Sequence, residues 1–417
     1  MDLTILIFLL VYVAMGVGKL PGFKVDRTGA AIIGAMAMMS AGSISPAAAW
    51  NAIDYRSVGM LFGLMVVSAA FVVSGFYGWA ARGIATLRVS PPVLLGVLVA
   101  AGGLLSAVLT NDVVVVAMTP LLVSITLARG LNPVPFLLAF CFAANSGSAG
   151  TLIGSPQNMI AAQGLGLSFN GFLRVTALPA LASLPIVWGI VALLYRGKWA
   201  LAALPPGQGS QIAAPAPAAP PPPLDRWETA KAGLVTLAVI AGFIFSDVSR
   251  ELIALTGAGL LLLNRRISSR DMLGHVDGDL LLLIVGLFVV NAALAATGLP
   301  QSLLAEFRAA GFDLTQPLTL FLVGGALSNV VGNNPAVMLL VPFLEAGADH
   351  AALGAALALG TGFSSNLIVF GSLAGIIVVE QAAAQGVTIS FREFSRAGVP
   401  VTLACMLVAA GWVLLLG

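Results

Sequence analysis

Long apolar runs alternate along the chain with short segments that carry charges and turn residues. Eight uninterrupted runs are predicted to be membrane-spanning helices, at about 3–18, 29–44, 57–80, 172–195, 230–247, 250–264, 279–297 and 394–416. Four other stretches are as apolar but carry Gly, Asn, Ser or Pro near their middle: 91–128, 134–163, 316–346 and 351–385. Because unpaired backbone at membrane depth is tolerated only in a cavity or inside protein, these four are predicted to be discontinuous and buried.

Composition indicates the solvent in which this chain folds. Of its 417 residues, 59% are hydrophobic and 9% are charged, whereas soluble domains carry about 25% charged residues. So large an apolar fraction requires lipid, and we predict a multi-pass protein of the inner (cytoplasmic) membrane. The net charge of +2 gives no sign of a nucleic-acid partner. Cys141 and Cys405 lie in apolar runs without metal-ligand neighbours, so we expect them to be buried apolar residues and expect no cofactor.

Polar positions recur in the same order in the two halves of the chain. The matching segments are 105–112 with 327–334, 168–174 with 390–396, Gly63-Leu64 with Gly286-Leu287, and Ser74-Gly75 with Thr297-Gly298. Chance similarity between apolar helices would not keep this register through the polar positions. We therefore predict two repeats, residues 1–196 and 230–417, joined by a linker at 197–229. The Pro/Ala-rich centre of that linker cannot form a spanning helix.

The distribution of Lys and Arg predicts the orientation of the repeats. We assign each repeat three spans, a re-entrant hairpin (91–128 or 316–346), a broken helix (134–163 or 351–385) and a final span. Fifteen basic residues then fall on one side of the membrane and four, Arg56, Arg174, Arg250 and Arg308, on the other. Positive residues mark the cytoplasmic side, so both termini are predicted outside and the linker cytoplasmic. The predicted fold is an all-α membrane protein with two inverted-topology repeats.

The interruptions are expected to form an ion and substrate site near the middle of the bilayer. Broken helices expose amides that attract anions, while carbonyl, Asn, Ser and Thr oxygens can coordinate Na⁺. The candidate residues are Thr110, Asn111, Asp112, Asn145, Ser146, Gly147, Ser148, Thr151, Asn158, Asn333, Asn334, Ser364, Ser365, Asn366 and Ser372. Within this set, Na⁺ sites are predicted at Asn111, Asp112 and Asn145 and at Asn333, Asn334 and Ser365. The alternative interpretation is that these small and polar residues only pack helices together.

Asp112 is the only acidic residue within the predicted hairpin tips and breaks. A carboxylate at membrane depth is costly unless it is protonated or paired, so Asp112 is expected to carry a proton or to bind a cation. Capping of the following helix is a compatible structural role. No acid pair, Ser-His pair or metal-ligand cluster accompanies it at membrane depth, so we do not expect an enzyme.

At these motifs the chain resembles the ion transporter superfamily, which includes citrate-transporter-like permeases, sodium-coupled dicarboxylate and sulfate transporters, arsenite permeases and some sodium/proton antiporters. Residues 109–112 with Thr119-Pro120 are similar to the first hairpin of the citrate-transporter-like and arsenite-permease branches. Residues 154–158 resemble the element after their first break, and 333–335 and 371–374 look closest to arsenite permeases. The resemblance covers nearly the whole chain outside the linker. It implies secondary transport by an elevator-like motion of hairpins and broken helices.

The hairpin tips depart from the dicarboxylate branch of that superfamily. That branch carries Ser-Asn-Thr at both tips, where this chain has Thr110-Asn111-Asp112 and Gly332-Asn333-Asn334. An added acid opposes a dianion and favours a cation, a proton or a weakly charged oxyanion. The leading hypothesis is therefore transport of a small anion or oxyanion coupled to Na⁺ or H⁺. Two alternatives stay open: an arsenite/antimonite efflux permease with a soluble ATPase partner, and Na⁺/H⁺ antiport through Asp112. A homodimer is compatible with each.

Overall fold

The structure is a computed structural model, and it describes residues 3–20, 22–201, 222–309, 311–344 and 350–416. Regular structure in these ranges is helical, and they contain no β-strand beyond two isolated bridges. The helices are α1 Leu3–Val17, α2 Arg27–Ser40, α3 Pro46–Ala52, α4 Tyr55–Val73, α5 Phe76–Ala85, α6 Pro91–Val108, α7 Asn111–Ala128, α8 Pro133–Ser148, α9 Pro156–Gly164, α10 Phe169–Leu194, α11 Arg226–Phe245, α12 Arg250–Leu262, α13 Ser269–Leu273, α14 Gly278–Ala295, α15 Leu299–Ala309, α16 Pro317–Val331, α17 Asn333–Leu340, α18 His350–Ser364, α19 Leu373–Ala384 and α20 Phe391–Leu416. The expected all-helical class is confirmed. Most of the predicted linker, residues 202–221, lies outside the described residues.

Seven of the described helices, α4, α6, α7, α10, α11, α14 and α20, are long and apolar enough to cross a membrane. Their apolar side chains cover the outside of the bundle, with Leu407, Leu415 and Phe245 among the most exposed. Exposed apolar surface of this extent is stable only against lipid. The multi-pass membrane character expected from composition is therefore confirmed.

One predicted span is shorter in the structure than its apolar run suggested. The run at 57–80 divides at Gly75, whose φ of 76° ends α4 and starts the separate helix α5. The matching run at 279–297 corresponds to α14 within two residues, and Gly298, with a φ of 72°, separates it from α15. Glycine adopts this left-handed backbone conformation without the penalty that a Cβ would add. The short helices α3 and α13 were not predicted, because five to seven residues give too little periodicity.

Close glycine contacts hold the centre of the bundle together. A Cβ on Gly63 of α4 would lie 2.6 Å from the carbonyl carbon of Ala254 in α12, and one on Gly286 of α14 would lie 2.8 Å from that of Ala31 in α2. Backbones can approach this closely only where side chains are small. The α4–α12 and α2–α14 pairs therefore join the two halves of the chain through matching contacts.

The interrupted stretches form the structures that position the site. Helices α6 and α7 form a hairpin whose turn is at Leu109-Thr110, and Arg129 at its open end donates to the Val89 carbonyl at 3.2 Å. Helices α16 and α17 turn at Gly332, whose φ is 94°. The stretch at 134–163 becomes α8 and α9, separated by turns and bends at 149–155, and 351–385 becomes α18 and α19, separated by 365–372, which contain a 3₁₀ turn at Val369–Gly371.

The two helices that precede the breaks form the centre of the core. Every residue of α8 is buried, and α18 is buried from Ala352 to Ser364. The two helices touch where Gly362 faces Ala149, with only 2.6 Å between the Cβ of Ala149 and a Cβ placed on Gly362. The polar ends of both helices therefore lie inside the protein, where lipid cannot reach them.

Hydrogen bonds between loops identify two opposite faces of the bundle. On the first face, Asn132 N donates to Trp199 O at 2.8 Å and Asp225 N to Ser74 O at 2.9 Å. On the second face, Arg250 donates to Leu167 O at 2.8 Å. These contacts join only loops that the charge pattern assigns to the same side. Which face is cytoplasmic stays a prediction.

Candidate functional site

The ends of α8 and α18 meet through a pair of buried amides. Asn145 Nδ2 donates to Asn366 Oδ1 and to Ser372 Oγ, both at 3.0 Å. Asn366 Nδ2 donates in turn to Ser146 Oγ at 3.1 Å and to the Phe142 carbonyl at 3.3 Å. Both Asn side chains are almost fully buried, at 2% and 0% exposure. This amide pair holds the first break against the second, so the two halves share one polar centre.

The tip of the first hairpin lies against the first break. Asn111 N donates to Gly154 O at 3.0 Å, and Thr110 N donates to Ser68 Oγ of α4 at 3.1 Å. The Thr151 hydroxyl donates to the Ala107 carbonyl in α6. These bonds fix the turn between α6 and α7 beside residues 149–155, the turns and bends that separate α8 from α9.

Unpaired oxygens are concentrated around this first tip. The buried oxygens without a hydrogen-bond partner among the described residues include Ser106 Oγ, Thr110 Oγ1, Asn111 Oδ1, Ser155 Oγ and Asn158 Oδ1. A buried polar atom left unsatisfied costs about 1–3 kcal/mol, and native proteins keep few of them. Hydroxyl and amide oxygens are also the ligands that a hard cation prefers. The cluster has the chemistry of a cation site.

Asn158 has its side chain fixed in one orientation. Its Nδ2 donates to the Ser148 carbonyl at 2.9 Å and to the Thr151 carbonyl at 2.8 Å, at the C-terminal end of α8. The amide nitrogen therefore satisfies carbonyls that the helix end leaves open. Its Oδ1 is the atom left for a ligand.

The tip of the second hairpin is more completely bonded than the first. Asn333 Nδ2 donates to Ser365 Oγ at 2.8 Å, Ser365 Oγ donates to the Thr361 carbonyl at 2.6 Å, and Ser328 Oγ donates to Asn333 Oδ1. Only the Oδ1 atoms of Asn334 and the neighbouring Asn329 lack a partner among the described residues of this region. The two matching tips thus differ in how many oxygens they leave for a ligand.

Both tips and both breaks border one cavity of about 480 Å³, which we call the central cavity. Its wall includes the first residue of each of four helices: Asn111 of α7, Pro156 of α9, Asn333 of α17 and Leu373 of α19. A side chain caps the N-terminus of only one of the four, α19, where Ser372 Oγ accepts from Gly375 N. Helix N-termini carry a partial positive charge and backbone donors for anions.

The mouth of the central cavity is acidic. Asp26, Asp277, Asp279 and Glu380 line it together with one basic residue, Arg27. Two of these carboxylates have structural roles, since Asp26 accepts from Gly29 N and Asp277 from Leu280 N as helix caps. Among the described residues no cluster of three or more His, Cys, Asp or Glu is arranged to hold a metal ion. The mouth therefore favours the approach of cations without forming a multidentate carboxylate site.

Asp112 lies between two cavities. It lines the central cavity, and it also lines a second cavity of about 590 Å³ together with His275 and Asp277. Its side chain is half-buried in the first turn of α7. A carboxylate in this position can exchange a proton or a cation with either cavity.

Some of the predicted site residues make structural contacts instead of facing the cavity. Gly147 packs on α6, where an added Cβ would lie 2.3 Å from Gly103 O. Ser148 Oγ donates to the Asn145 carbonyl and Ser364 Oγ to the Thr361 carbonyl, both within one helix. The candidates on the central cavity wall are Asn111, Asp112, Asn333, Asn334 and Ser372.

Two residues outside the hairpins and breaks are hydrogen-bonded to the tips, directly or through Tyr12, without having been predicted from the sequence. Ser68 contacts the first tip, and Asn291 accepts at 2.9 Å from Tyr12, whose hydroxyl is also 3.4 Å from the Pro335 carbonyl at the second tip. Ser68 and Asn291 are 223 residues apart, the offset that separates Gly63 from Gly286. Applying that offset to every polar residue within a predicted span would have found them.

Comparisons with known proteins agree with this architecture. Residues 10–362 match the family described as citrate transporter, CitMHS. An uncharacterized transporter of Mycobacterium tuberculosis (strain CDC 1551 / Oshkosh) is 31% identical over 97% of each chain. The magnetosome protein MamN of Magnetospirillum gryphiswaldense is 26% identical over 89% of each chain. The transporter arsB of Dictyostelium discoideum is 30% identical over 42% of this chain and 31% of its own length.

A solved structure shares the fold. The crystal structure of the Alcanivorax borkumensis YdaH transporter, described as having an unusual topology, superposes with a TM-score of 0.59 at 15% identity and covers 99% of this chain and 96% of that one. The helical bundle and its relatives define a multi-pass membrane transporter. The chain belongs to the citrate transporter family. The resemblance to the ion transporter superfamily seen in the motifs is thereby confirmed.

Proposed function

We propose that this protein is a secondary active transporter that moves a small anion or oxyanion through the central cavity, coupled to Na⁺ or H⁺. The observation that carries the proposal is the arrangement of four helix N-termini, at Asn111, Pro156, Asn333 and Leu373, around one cavity. Each contributes about half a positive charge. Together they offset roughly two negative charges on a ligand, in addition to the charge of the half-buried Arg27 at the cavity mouth.

The cation site that we propose is the cluster of unpaired oxygens at the first tip. Thr110 Oγ1, Asn111 Oδ1 and Ser155 Oγ supply neutral ligands, and Asp112 in the same turn supplies charge. The second tip, with most of its oxygens already bonded, is the weaker candidate for a second cation at Asn333, Asn334 and Ser365. Unequal occupancy of the two sites follows from this difference.

Charge also sets an order of binding. An ionised Asp112 would repel an anion in the same cavity, by about 4 kcal/mol for unit charges 4 Å apart at an effective dielectric constant of 20. A bound Na⁺ or a proton on Asp112 removes most of that repulsion. We therefore propose that the cation binds first and that anion affinity depends on it, which is the basis of coupled transport.

The mechanism that we propose is an elevator-like motion within a protein built from two inverted repeats. The α4–α12 and α2–α14 contacts would belong to the scaffold, and the hairpins with α8, α9, α18 and α19 to the moving part. The matched tips and breaks support this division, since inverted repeats with discontinuous helices are typical of secondary transporters. The inner membrane is the proposed location.

Transport measurements on purified protein in liposomes test the proposal. Uptake of radiolabelled citrate, sulfate and arsenite would be compared under a Na⁺ gradient, a pH gradient and neither. Asn111→Ala should reduce coupled uptake about tenfold or more, while Ser302→Ala, on the exposed face of α15, should have no effect. Uptake without any ion gradient, or equal uptake by Asn111→Ala and wild type, would refute the cation site.

The coupling ion is decided by Asp112→Asn in the same assay. Proton coupling through this carboxylate predicts that the variant loses the pH dependence of uptake. Sodium coupling predicts a raised Na⁺ requirement with the pH dependence unchanged. Antiport of Na⁺ against H⁺ is favoured instead if a Na⁺ gradient moves protons with no anion present; the position of Asp112 between two cavities is the observation behind this second candidate.

A further inference from the structure

Two arginines occupy matching positions in the two halves of the chain. Arg27 opens α2 and Arg250 opens α12, and they are 223 residues apart, the same offset as Gly63 and Gly286. Each side chain is half-buried and makes hydrogen bonds with protein carbonyls. An Arg side chain placed at a helix N-terminus gains nothing from the helix dipole, which favours acidic residues there. A function outside its own helix is therefore expected for each.

Arg250 binds the corner between α9 and α10, residues 163–170. Its Nη1 atom donates to the Leu167 carbonyl at 2.8 Å, and its Nη2 atom donates to Gln163 Oε1 at 3.3 Å. The two nitrogens of a planar guanidinium fit this pair of acceptors, which a Lys ammonium could not match in the same geometry. The α9–α10 corner is thereby tied to the start of α12.

Two more contacts close the bundle beside Arg250. Asn170 Nδ2 donates to the Ile244 carbonyl at 3.1 Å, and the Phe169 ring lies 5.7 Å from that of Phe243. Phe169 is only 5% exposed. The α9–α10 corner is therefore packed against the end of α11 as well as against α12.

The matching corner in the second half, residues 385–392 between α19 and α20, is less completely covered than the first. Gln385-Gly386 and Ile389-Ser390-Phe391 repeat the pattern of Gln163-Gly164 and Leu167-Ser168-Phe169 at an offset of 222. Phe391 is 54% exposed, in contrast to Phe169. Ile389 is buried like Leu167, and the Phe391 ring stacks on that of Phe370, so the two corners share a sequence pattern and differ in the exposure of the Phe side chain.

Arg27 has a different partner from Arg250. Its Nε donates to the Met15 carbonyl at 2.9 Å, and among the described residues no hydrogen bond joins it to the 385–392 corner. Arg27 instead lines the central cavity, as do Ile376 and Glu380 of α19 on the other wall. The central cavity therefore opens at the place where a contact between Arg27 and the 385–392 corner would form.

We propose that Arg250 and Arg27 are alternating latches of the transport cycle. In the state seen here, Arg250 holds the α9–α10 corner and the central cavity opens beside Arg27. In the opposite state, Arg27 binds the Ile389 carbonyl and the Gln385 side chain, while Arg250 releases Leu167 and Gln163. The inference rests on the proposed inverted repeats and alternating access, and it assigns the residues that hold each state closed.

Exchange of matching contacts has an energetic consequence. Each state keeps one guanidinium latch and gives up the other, so the two states lose and gain the same kind of hydrogen bond. The difference in free energy between them stays small, and a bound ion or anion can then shift the populations. Removing one latch should bias the protein toward the state held by the other.

Cysteine cross-linking of the full chain in membrane vesicles tests the latch directly. The pairs are Gln163→Cys with Arg250→Cys and Gln385→Cys with Arg27→Cys, joined by a short bifunctional methanethiosulfonate; the native Cys141 and Cys405 are buried. Both pairs should cross-link, although the second is not in contact in this structure. Gln385→Cys with Arg250→Cys, which join opposite faces, is the control and should not react. Formation of the first pair without the second would overturn the proposal.

Thiol labelling measures the balance between the two states without any substrate. Ile376→Cys, on the wall of the central cavity, would be labelled with a membrane-impermeant maleimide from the face of Arg27. Adding Arg250→Ala should slow labelling about tenfold or more, because two charge-assisted hydrogen bonds of this state are lost, and Arg250→Lys should slow it less. Arg56→Ala is the matched control and should have no effect, because this largely exposed side chain pairs with Glu251 at 3.8 Å and lies over the Tyr55 ring without contacting the corner. Unchanged labelling in Arg250→Ala would overturn the proposal.

These outcomes are separable from the transport assay. If both matched pairs cross-link but no anion is taken up, the proposed substrate is wrong and the latch stands. If coupled uptake is intact but the Gln385–Arg27 pair never forms, the latch is wrong and the proposed function stands.

Discussion

The amide pair at the centre of the bundle gives the most closely defined prediction. Asn145→Ala removes the hydrogen bonds to Asn366 Oδ1 and Ser372 Oγ, both at 3.0 Å and both in the protein interior. Hydrogen bonds between membrane helices contribute about 0.6 kcal/mol on average and about 1.7 kcal/mol at most. Because both hydrogen bonds are fully buried, each should lie toward the upper end of that range. Asn366 Oδ1 is then left without a donor, which costs about 1 kcal/mol or more. The expected loss of stability is about 3 kcal/mol.

A double-mutant cycle measures the pair itself. Unfolding of detergent-solubilised protein would be followed for Asn145→Ala, Asn366→Ala and the double variant. We expect a coupling energy of about 1–2 kcal/mol, because either substitution alone breaks the same bond. Ser146→Ala, which leaves Asn366 Nδ2 bonded to the Phe142 carbonyl, should cost only about 1 kcal/mol. Additive effects of the two Asn substitutions, within about 0.3 kcal/mol, would refute the inferred link between the breaks.

Three further predictions concern packing and pH. Gly147→Val should prevent correct assembly, because even its Cβ would lie 2.3 Å from a carbonyl oxygen of α6. The readout is the yield of monodisperse protein in size-exclusion chromatography. Gly189→Val is the control, since a Cβ there has no neighbour within 4 Å. Gly75→Ala should lower stability by about 1 kcal/mol or more in thermal unfolding, since φ is 76° there. Hydrogen bonds from Thr315 hold the pKa of Asp313 below its ordinary value of 3.8. The turn at 313–315 should therefore be protected from hydrogen exchange at neutral pH and should lose that protection as the pH falls through the lowered pKa. Hydrogen exchange of the turn in wild type and Asp313→Asn checks this, and equal pH dependence in both would contradict it.

Much of the helical architecture was accessible from the sequence because lipid imposes a simple rule. Apolar runs must be helical to satisfy their backbone, so the positions of α1, α2, α10, α11, α12 and α20 followed from hydropathy within a few residues. Polar residues in the middle of a run were equally informative. The stretch 134–163 was expected to be discontinuous, and α8 and α9 are separated at 149–155.

The residue types that form the site could be predicted from the sequence, but the contacts between them could not. The sequence placed Asn145 and Asn366 in two breaks, but nothing in it indicated that the two side chains bond to each other. The roles of Gly147 and Ser148 in helix packing were also hidden, because a ligand and a packing residue have the same small polar character. Arg250 was interpreted only as a charge on the minority side, and its bond to the Leu167 carbonyl depends on a corner 83 residues away.

A cryo-electron microscopy map of the protein in nanodiscs, with saturating sodium chloride and citrate or sulfate at neutral pH, tests the central claim most directly. We expect cation density about 2.4 Å from Asn111 Oδ1 and Thr110 Oγ1, and anion density facing the first turns of α7, α9, α17 and α19. A map with no cation or anion density in the central cavity, while a ligand is bound elsewhere in the bundle, would contradict it.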